Sequence, residues 1–203
     1  MAEVLGILCS GRGSNLQSII AAVNTGQIQA DIGMVLTDKP QAMALDRARK
    51  AGITSVCVDR KTCASKEDFE KKLVAELEKH EVTLVILAGF MRILSPYFVQ
   101  RFKGCILSIH PSLRPAFGGA HAHRDVLAYG VKVSGCTIHF VDEGMDSGPI
   151  ILQTTVPILD DDDEDSLAAR VLEQEHILYP RAIELYVNGQ LQIEGRRVKI
   201  INK

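Results

Sequence analysis

The chain lacks the features that would place it in a membrane or export it. No apolar run approaches the roughly 20 residues that span a bilayer, and the N-terminus has no signal-peptide layout. The formal net charge is −2 at pH 7 and no basic stripe is present, so nothing points to nucleic acid. The length of 203 residues and the apolar fraction of 46% are typical of a soluble globular protein. We expect such a chain in the cytoplasm.

The sequence also lacks a disulfide pattern. It contains no Cys-x-x-Cys pair, and its five cysteines are an odd number. They lie mostly in or beside apolar, strand-like segments: Cys9, Cys57, Cys63, Cys105 and Cys136. This pattern favours free buried thiols in a reducing compartment.

Strand-like and helix-like segments alternate through the first half of the chain. Short apolar runs at 4–9, 32–36, 55–58 and 84–88 alternate with helical spacing at 16–23, 42–50 and 66–79. The near-continuous apolar character of 84–88 is typical of a parallel strand covered on both faces. We predict an α/β fold with a doubly wound, mostly parallel open sheet.

The second half changes character. A helix is predicted at 120–129, followed by strands at 135–141 and 149–156 whose short connection favours an antiparallel hairpin. A long helix at 166–188 and a final hairpin turning at Gly195 complete this appended antiparallel part. No linker or repeat interrupts the chain, so we expect a single domain over 1–203.

A glycine-rich turn follows the first predicted strand, with the sequence Ser10-Gly11-Arg12-Gly13-Ser14-Asn15. A turn that leads into a helix N-terminus presents free N–H groups and suits a phosphate. It is neither the dinucleotide fingerprint, because Leu16 occupies the place of the third glycine, nor a Walker A loop. The alternative is a plain tight turn in which Ser14 caps the helix.

The segment 87–96 follows the fourth predicted strand. Gly89 permits close backbone approach, and Met91, Ile93 and Leu94 could form an apolar wall for a flat heterocycle. Backbone groups near Arg92 and Leu94 would read its polar edge. Taken alone, the residues favour the alternative, in which they are core and Arg92 faces solvent.

Two groups suited to proton transfer follow the ends of predicted strands. His110 comes after a buried strand at 105–107 that Pro111 must stop, and Asp146 lies in a glycine-bracketed loop. Acid–base chemistry and a structural role remain equally open for this pair. His139 could face the same cleft or be a core histidine.

Two other polar clusters give little indication of a functional site. His121 and His123 have no neighbouring carboxylate or cysteine that completes a metal-ligand pattern, so we expect no metal. The acidic run 160–165 precedes the long helix, where negative charge is favourable, and Asp163 or Asp165 could cap it.

Five segments in order resemble the phosphoribosylglycinamide formyltransferase family of folate-dependent enzymes. The resemblance covers nearly the whole chain and is carried by 10–17, 87–95, 109–113, 146–149 and 174–180. It implies the formyltransferase fold and transfer of a formyl group from 10-formyltetrahydrofolate, the co-substrate, to the amine of glycinamide ribonucleotide in purine biosynthesis. It implies a ribonucleotide-phosphate half at about 1–100 and a catalytic and folate-binding half at about 101–203, in a monomer or homodimer.

The resemblance also implies a ligand set. The ribonucleotide side consists of Gly13, Ser14 and Asn15 at the phosphate and Glu175 at the ribose. The folate side consists of Lys66 near the tail and Met91, Arg92, Ile93, Leu94, Val141 and Asp142 around the pterin. The family usually has an arginine at the position of Lys66, and a lysine there is the less geometrically selective cation.

The family's catalytic trio is asparagine, histidine and aspartate, which here correspond to Ser108, His110 and Asp146. Loss of one oxyanion donor typically costs ~3–4 kcal/mol, or ~10²–10³ in rate. The resemblance therefore implies direct formyl transfer slowed by Ser108. Two alternatives stay open: a formyltetrahydrofolate hydrolase, whose relatives usually carry an extra N-terminal domain, and a catalytically silent ligand-binding relative.

Overall fold

The computed structural model describes residues 2–144 and 147–201. Its strands are β1 (Glu3–Cys9), β2 (Ala30–Thr37), β3 (Ser55–Cys57), β4 (Leu84–Leu87), β5 (Ile106–His110), β6 (Val133–Phe140), β7 (Ile150–Pro157), β8 (Leu191–Glu194) and β9 (Arg197–Ile200). Its helices are α1 (Ser14–Asn24), α2 (Met43–Lys50), α3 (Lys66–Lys79), α4 (Pro96–Arg101), α5 (Ala122–Tyr129) and α6 (Glu164–Val187).

These strands form one sheet in the order β3-β2-β1-β4-β5-β6-β7-β9-β8. Neighbours from β3 to β5 are parallel, whereas β6 is antiparallel to both β5 and β7. The final β8–β9 hairpin joins the edge of β7. The predicted fold class, a mostly parallel open sheet with an appended antiparallel part, is confirmed.

Apolar side chains cover both faces of the sheet. On one face, β1 packs against α1, α2 and α6, with Leu5, Leu16 and Tyr179 fully buried. On the other face, α3 and α4 pack through residues such as Leu73 and Phe98. This two-sided coverage explains why the parallel strands have nearly continuous apolar sequences.

Strand β5 differs from its prediction in a way that matters for the site. It extends to His110, so Ser108 and His110 are strand residues and do not follow the strand. The extension has a physical reason, because β6 pairs with β5 as far as His110, opposite Thr137. Pro111 then ends the strand, as expected from its missing N–H.

Two further expectations concern the cap of the long helix and the state of the cysteines. The long helix begins at the capping box of Asp163 and Ser166, which confirms Asp163 as a cap. All five cysteines are free, and burial raises the pKa of the Cys9 and Cys136 thiols to about 12. Among the residues that the structure describes, no helix is long and apolar enough to cross a membrane.

Candidate functional site

The strand order reverses at β1, and this places the site. The chain runs from β1 to β2 and β3 on one side, and then returns to β4 on the other side of β1. A crevice opens beyond the carboxyl ends of two such strands, and ligands of open α/β sheets bind there. The turn after β1 and the loop after β4 meet in this crevice, where the Ser10 N–H donates to the Gly89 carbonyl over 3.0 Å.

The turn after β1 leaves the start of α1 without a side-chain cap. Gly13 is the N-cap residue, with φ +67°, and Ser14 is already helical, so the alternative in which Ser14 caps the helix is wrong. A Cβ on Gly13 would lie 3.0 Å from the Ala44 backbone of α2, which adds a packing reason for glycine. The N–H groups of the first turn of α1 are therefore available to an anion.

Asn15 and Glu175 come together across 160 positions of sequence. The Asn15 Nδ2 donates to Glu175 Oε2 over 2.7 Å, and both side chains are buried. Burial raises the pKa of the Glu175 carboxyl, and this hydrogen bond opposes the rise. The Asn15 Oδ1 is buried without a hydrogen-bond partner. A buried acceptor beside a helix N-terminus marks a place where a hydroxyl or N–H of a ligand would complete the bonding.

The loop 89–95 forms the opposite wall of the crevice. The Ser10 hydroxyl accepts from the Met91 N–H over 2.9 Å. Met91 and Ile93 are exposed by 64% and 62%, whereas Leu94 is buried in the core. Each interpretation of this segment therefore holds for some of its residues. Met91 and Ile93 present an exposed apolar surface, whereas Leu94 is a core residue that anchors the loop.

Two predicted cations border this loop and both have carboxylate partners. The Arg92 Nε donates to Asp38 Oδ2 over 2.6 Å, so Arg92 is not merely solvent-facing. The Lys66 Nζ lies 3.9 Å from Glu70 Oε1. Arg92 is thereby joined to the end of β2, and Lys66 lies beside the carboxylate that accepts from the Ser95 N–H.

The predicted catalytic residues of β5 share one face of the sheet. Ser108 lies beside Leu87 of β4 and directly opposite His139 of β6, and His110 is two residues further on. Residues at i and i+2 of a strand, and residues paired directly across strands, point to the same side. Ser108, His110 and His139 therefore lie on one face, close to the end of β4.

The orientation of His110 is determined by a backbone carbonyl. Its Nε2 lies 2.9 Å from the Phe117 carbonyl oxygen, which can only accept, so Nε2 is the donor in this hydrogen bond. The Ser112 hydroxyl donates to the Ala116 and Phe117 carbonyls and fastens the same turn. Phe117 has φ +49°, in the left-handed region that non-glycine residues rarely adopt.

The two other histidines of this region lie at the start of α5. His121 is its N-cap residue, and burial lowers the pKa of His123, although the charge of Glu164 opposes this shift. Within residues 2–144 and 147–201, no group of three His, Cys, Asp or Glu side chains is arranged to hold a metal ion.

The loop after β6 contains the last predicted site residues. The Val141 N–H donates to the Ile106 carbonyl, and Asp142 Oδ1 accepts from the Ser147 hydroxyl over 2.6 Å and from the Gly144 N–H over 3.1 Å. The carboxylate of Asp142 thus bonds to two residues that follow it closely in the sequence. Asp146, the predicted catalytic aspartate, lies outside the described residues.

Three residues of this region were not predicted from the sequence. Asp38 and Glu70 are buried carboxylates that bind loop 89–95, and the Tyr179 hydroxyl contacts the Leu87 and Leu107 carbonyls at 3.0 and 2.9 Å. Their partners are 25 to 92 positions away in sequence. Only a polar residue within an otherwise amphipathic or apolar segment could have signalled them.

Comparison with known proteins identifies related chains. The protein family described as formyl transferase matches residues 5–183. Phosphoribosylglycinamide formyltransferase of Escherichia coli is 43% identical over 187 residues, which cover 92% of this chain and 88% of that protein. The trifunctional purine biosynthetic protein adenosine-3 of Drosophila melanogaster is 47% identical over 187 residues, 91% of this chain but only 14% of that much longer protein.

Solved structures agree with the sequence matches. Glycinamide ribonucleotide transformylase 1 from Symbiobacterium toebii superimposes with a TM-score of 0.97 at 44% identity, covering 99% of this chain and 95% of that one. Phosphoribosylglycinamide formyltransferase from Anaplasma phagocytophilum superimposes with a TM-score of 0.92 at 36% identity over 100% of this chain and 96% of its own.

Proposed function

The chain belongs to the formyl transferase family, and on that premise we propose that it transfers a formyl group from 10-formyltetrahydrofolate to the amine of glycinamide ribonucleotide. The observation that carries the proposal is the convergence of three segments at one edge of the sheet. An uncapped helix N-terminus, an apolar loop and a face with histidine and serine adjoin the β1–β4 switch point. The relatives named for this reaction match the chain over most of its length.

The ribonucleotide binds on the β1 side of the crevice. Its phosphate accepts hydrogen bonds from the first N–H groups of α1, at Ser14 and Asn15, because Gly13 provides no side-chain cap. Its ribose hydroxyls bond to Glu175, whose carboxylate is already oriented by Asn15. This arrangement leaves the glycinamide amine to extend along the crevice toward β5.

The folate binds on the β4 side. Met91 and Ile93 present the apolar surface on which the pterin lies, and the backbone near Arg92 and Leu94 bonds its polar edge. The loop that begins with Val141 and Asp142 closes over it. Lys66 lies at the start of α3, where its ammonium attracts the carboxylates of the folate tail.

The reaction proceeds by direct attack, with no covalent enzyme intermediate. The amine nitrogen forms a bond to the formyl carbon, negative charge develops on the formyl oxygen, and the bond from that carbon to N10 of folate then breaks. The imidazolium of His110 and the hydroxyl of Ser108 donate to the oxygen. Asp146 helps to keep His110 protonated and relays the proton lost by the amine to the leaving nitrogen.

The pH dependence of kcat/KM tests this assignment. We expect a rate that falls on both limbs, because the amine must be neutral and Asp146 ionised while His110 is protonated. A profile that is flat from about pH 5 to about pH 9 would contradict the pairing of His110 with Asp146.

The same assay separates the transferase from its alternatives. Release of formate from 10-formyltetrahydrofolate that does not depend on glycinamide ribonucleotide would identify a hydrolase. Calorimetric binding of both ligands with no product would identify a silent binding protein, the alternative that Ser108 alone favours.

A further inference from the structure

Loop 89–95 keeps apolar side chains in water, and this requires an external restraint. Met91 and Ile93 are both more than 60% exposed, although burial of such side chains is favourable. A loop free to rearrange would turn these side chains inward. The contacts on the buried side of the loop hold it open.

Asp38 is the first of these contacts. It follows β2 directly, its side chain is 0% exposed, and Oδ2 accepts from Arg92 Nε. Its other oxygen, Oδ1, is buried without a hydrogen-bond partner. A buried carboxylate costs folding free energy, so its position behind the loop points to a role in holding Arg92.

Glu70 is the second contact. It lies on α3 with its side chain 2% exposed, and Oε1 accepts from the Ser95 N–H over 2.8 Å. The Ser95 hydroxyl also donates to Oε2. Ser95 is the N-cap of α4 and makes no side-chain cap itself. Glu70 therefore supplies an acceptor at the point where the loop becomes a helix.

We propose that Asp38 and Glu70 are positioning residues that hold loop 89–95 in the shape that receives the folate. This inference rests on the proposed function. Asp38 bonds to Arg92, which precedes Ile93, and Glu70 bonds to Ser95, which follows Leu94. The two carboxylates come from different elements of the fold and hold the loop on both sides of this pair. Neither carboxylate needs to touch the ligand, because each acts through a loop residue, Arg92 or Ser95.

The proposal predicts a selective loss of folate binding. Removing the Glu70 acceptor frees the start of α4 and the loop before it, so the folate must order the loop when it binds. We expect the KM for 10-formyltetrahydrofolate to rise about tenfold in Glu70→Ala, the effect of one lost hydrogen bond to a charged group. The KM for glycinamide ribonucleotide should stay within about twofold, because α1 is not altered.

The chain offers a matched control on the same helix. Glu78 also lies on α3 and bonds to α4, but at the far end of α4, through Arg101. Glu78→Ala removes an exposed ion pair between the same two helices without touching loop 89–95, so both KM values should stay unchanged. Glu70→Gln, which keeps an acceptor for the Ser95 N–H, should restore most of the folate affinity.

Hydrogen exchange of the backbone amides provides a readout that does not depend on activity. Peptides covering 89–95 should exchange faster in Glu70→Ala and in Asp38→Ala than in the wild type and in Glu78→Ala. Where Asp38→Ala fails to fold, Asp38→Asn takes its place with a smaller effect in the same direction. Unchanged exchange together with an unchanged folate KM would overturn the proposal.

The outcomes also separate this inference from the proposed function. If the wild type shows no formyl transfer and binds neither ligand, the proposed function fails, while exchange at 89–95 still decides whether the carboxylates hold the loop. If the wild type is active and Glu70→Ala raises both KM values equally, the function stands and the positioning role is wrong.

Discussion

At the residue scale, the proposed function makes Ser108 the residue that limits the rate. The family resemblance places an asparagine here, and the structure puts this hydroxyl opposite His139, on the same face as His110. A serine reaches less far than an asparagine amide, so the formyl oxygen has one shorter donor. On the proposed function, we expect slow chemistry with unaltered binding.

We therefore expect Ser108→Asn to raise kcat by about 10²–10³, the value of one oxyanion donor. Steady-state assays at saturating concentrations of both substrates measure it. Ser108→Ala is the control and should lower kcat, since it removes the remaining hydroxyl. No rise in Ser108→Asn would contradict our interpretation of this position.

The burial of Glu175 lowers the stability of the fold at neutral pH, and the proposed function gives this carboxylate a role at the ribose. Burial raises the pKa of its carboxyl, so ionisation at neutral pH disfavours the folded state, whereas below its ordinary pKa the group is protonated in both states. Glu175→Gln should thus raise Tm by about 2 °C or more at neutral pH. The gain should shrink at about pH 4.

Calorimetry of Glu175→Gln at the two pH values checks this, with the exposed Glu173→Gln on the same helix as control. The same variant should bind glycinamide ribonucleotide more weakly, since its carboxylate no longer meets the ribose. A Tm that falls at neutral pH would show that the charge stabilises the fold.

At the element scale, the acidic run before α6 stabilises the helix start. Asp162 accepts from both terminal nitrogens of Arg170, at 2.7 and 2.8 Å, and this bonding holds the pKa of its carboxyl well below the ordinary value. Asp163 caps the helix. The run is therefore explained by helix capping and ion pairing.

Asp162→Asn should lower Tm at neutral pH. The stability that the pair contributes is present above the ordinary pKa of Asp162 and is lost as the pH falls through its lowered value. The Tm difference from wild type should thus narrow as the pH is lowered toward about 2. The exposed neighbour variant Asp161→Asn should show little change, and a Tm difference that is independent of pH would contradict the ion pair.

The elements differ in how well the sequence predicts them. Buried parallel strands have short apolar runs, so 4–9 and 84–88 predict β1 and β4 to within a residue. The sequence does not predict helix α4, because six residues are too few for a helical period to show. The end of β5 was missed because it depends on pairing with β6.

The candidate site is also predictable only where local sequence patterns determine it. Residues within motifs, such as Gly13 and His110, can be proposed from the sequence because local chain chemistry marks them. Asp38 and Glu70 are not, because their role exists only through a contact formed across the fold. Local patterns identify what would touch the ligands, and the tertiary structure identifies what holds those residues in place.

At the scale of the whole molecule, the sheet topology brings the segments of the candidate site together. The reversal at β1 brings the turn after β1 beside the loop after β4, and β5 adds its histidine at the adjacent position. The hydrogen bond from Asn15 to Glu175 then ties the first strand–helix unit to α6. On the proposed function, the ribonucleotide therefore draws on residues from both ends of the chain, whereas the folate draws on residues from its middle.

The most direct test follows the formyl carbon itself. In a single turnover with 10-formyltetrahydrofolate labelled at the formyl carbon, we expect all of the transferred label on the amine of glycinamide ribonucleotide and none as formate. Without the ribonucleotide, the label should stay on the folate. Label appearing as formate in its absence, or label that never leaves the folate in its presence, would contradict formyl transfer to this amine.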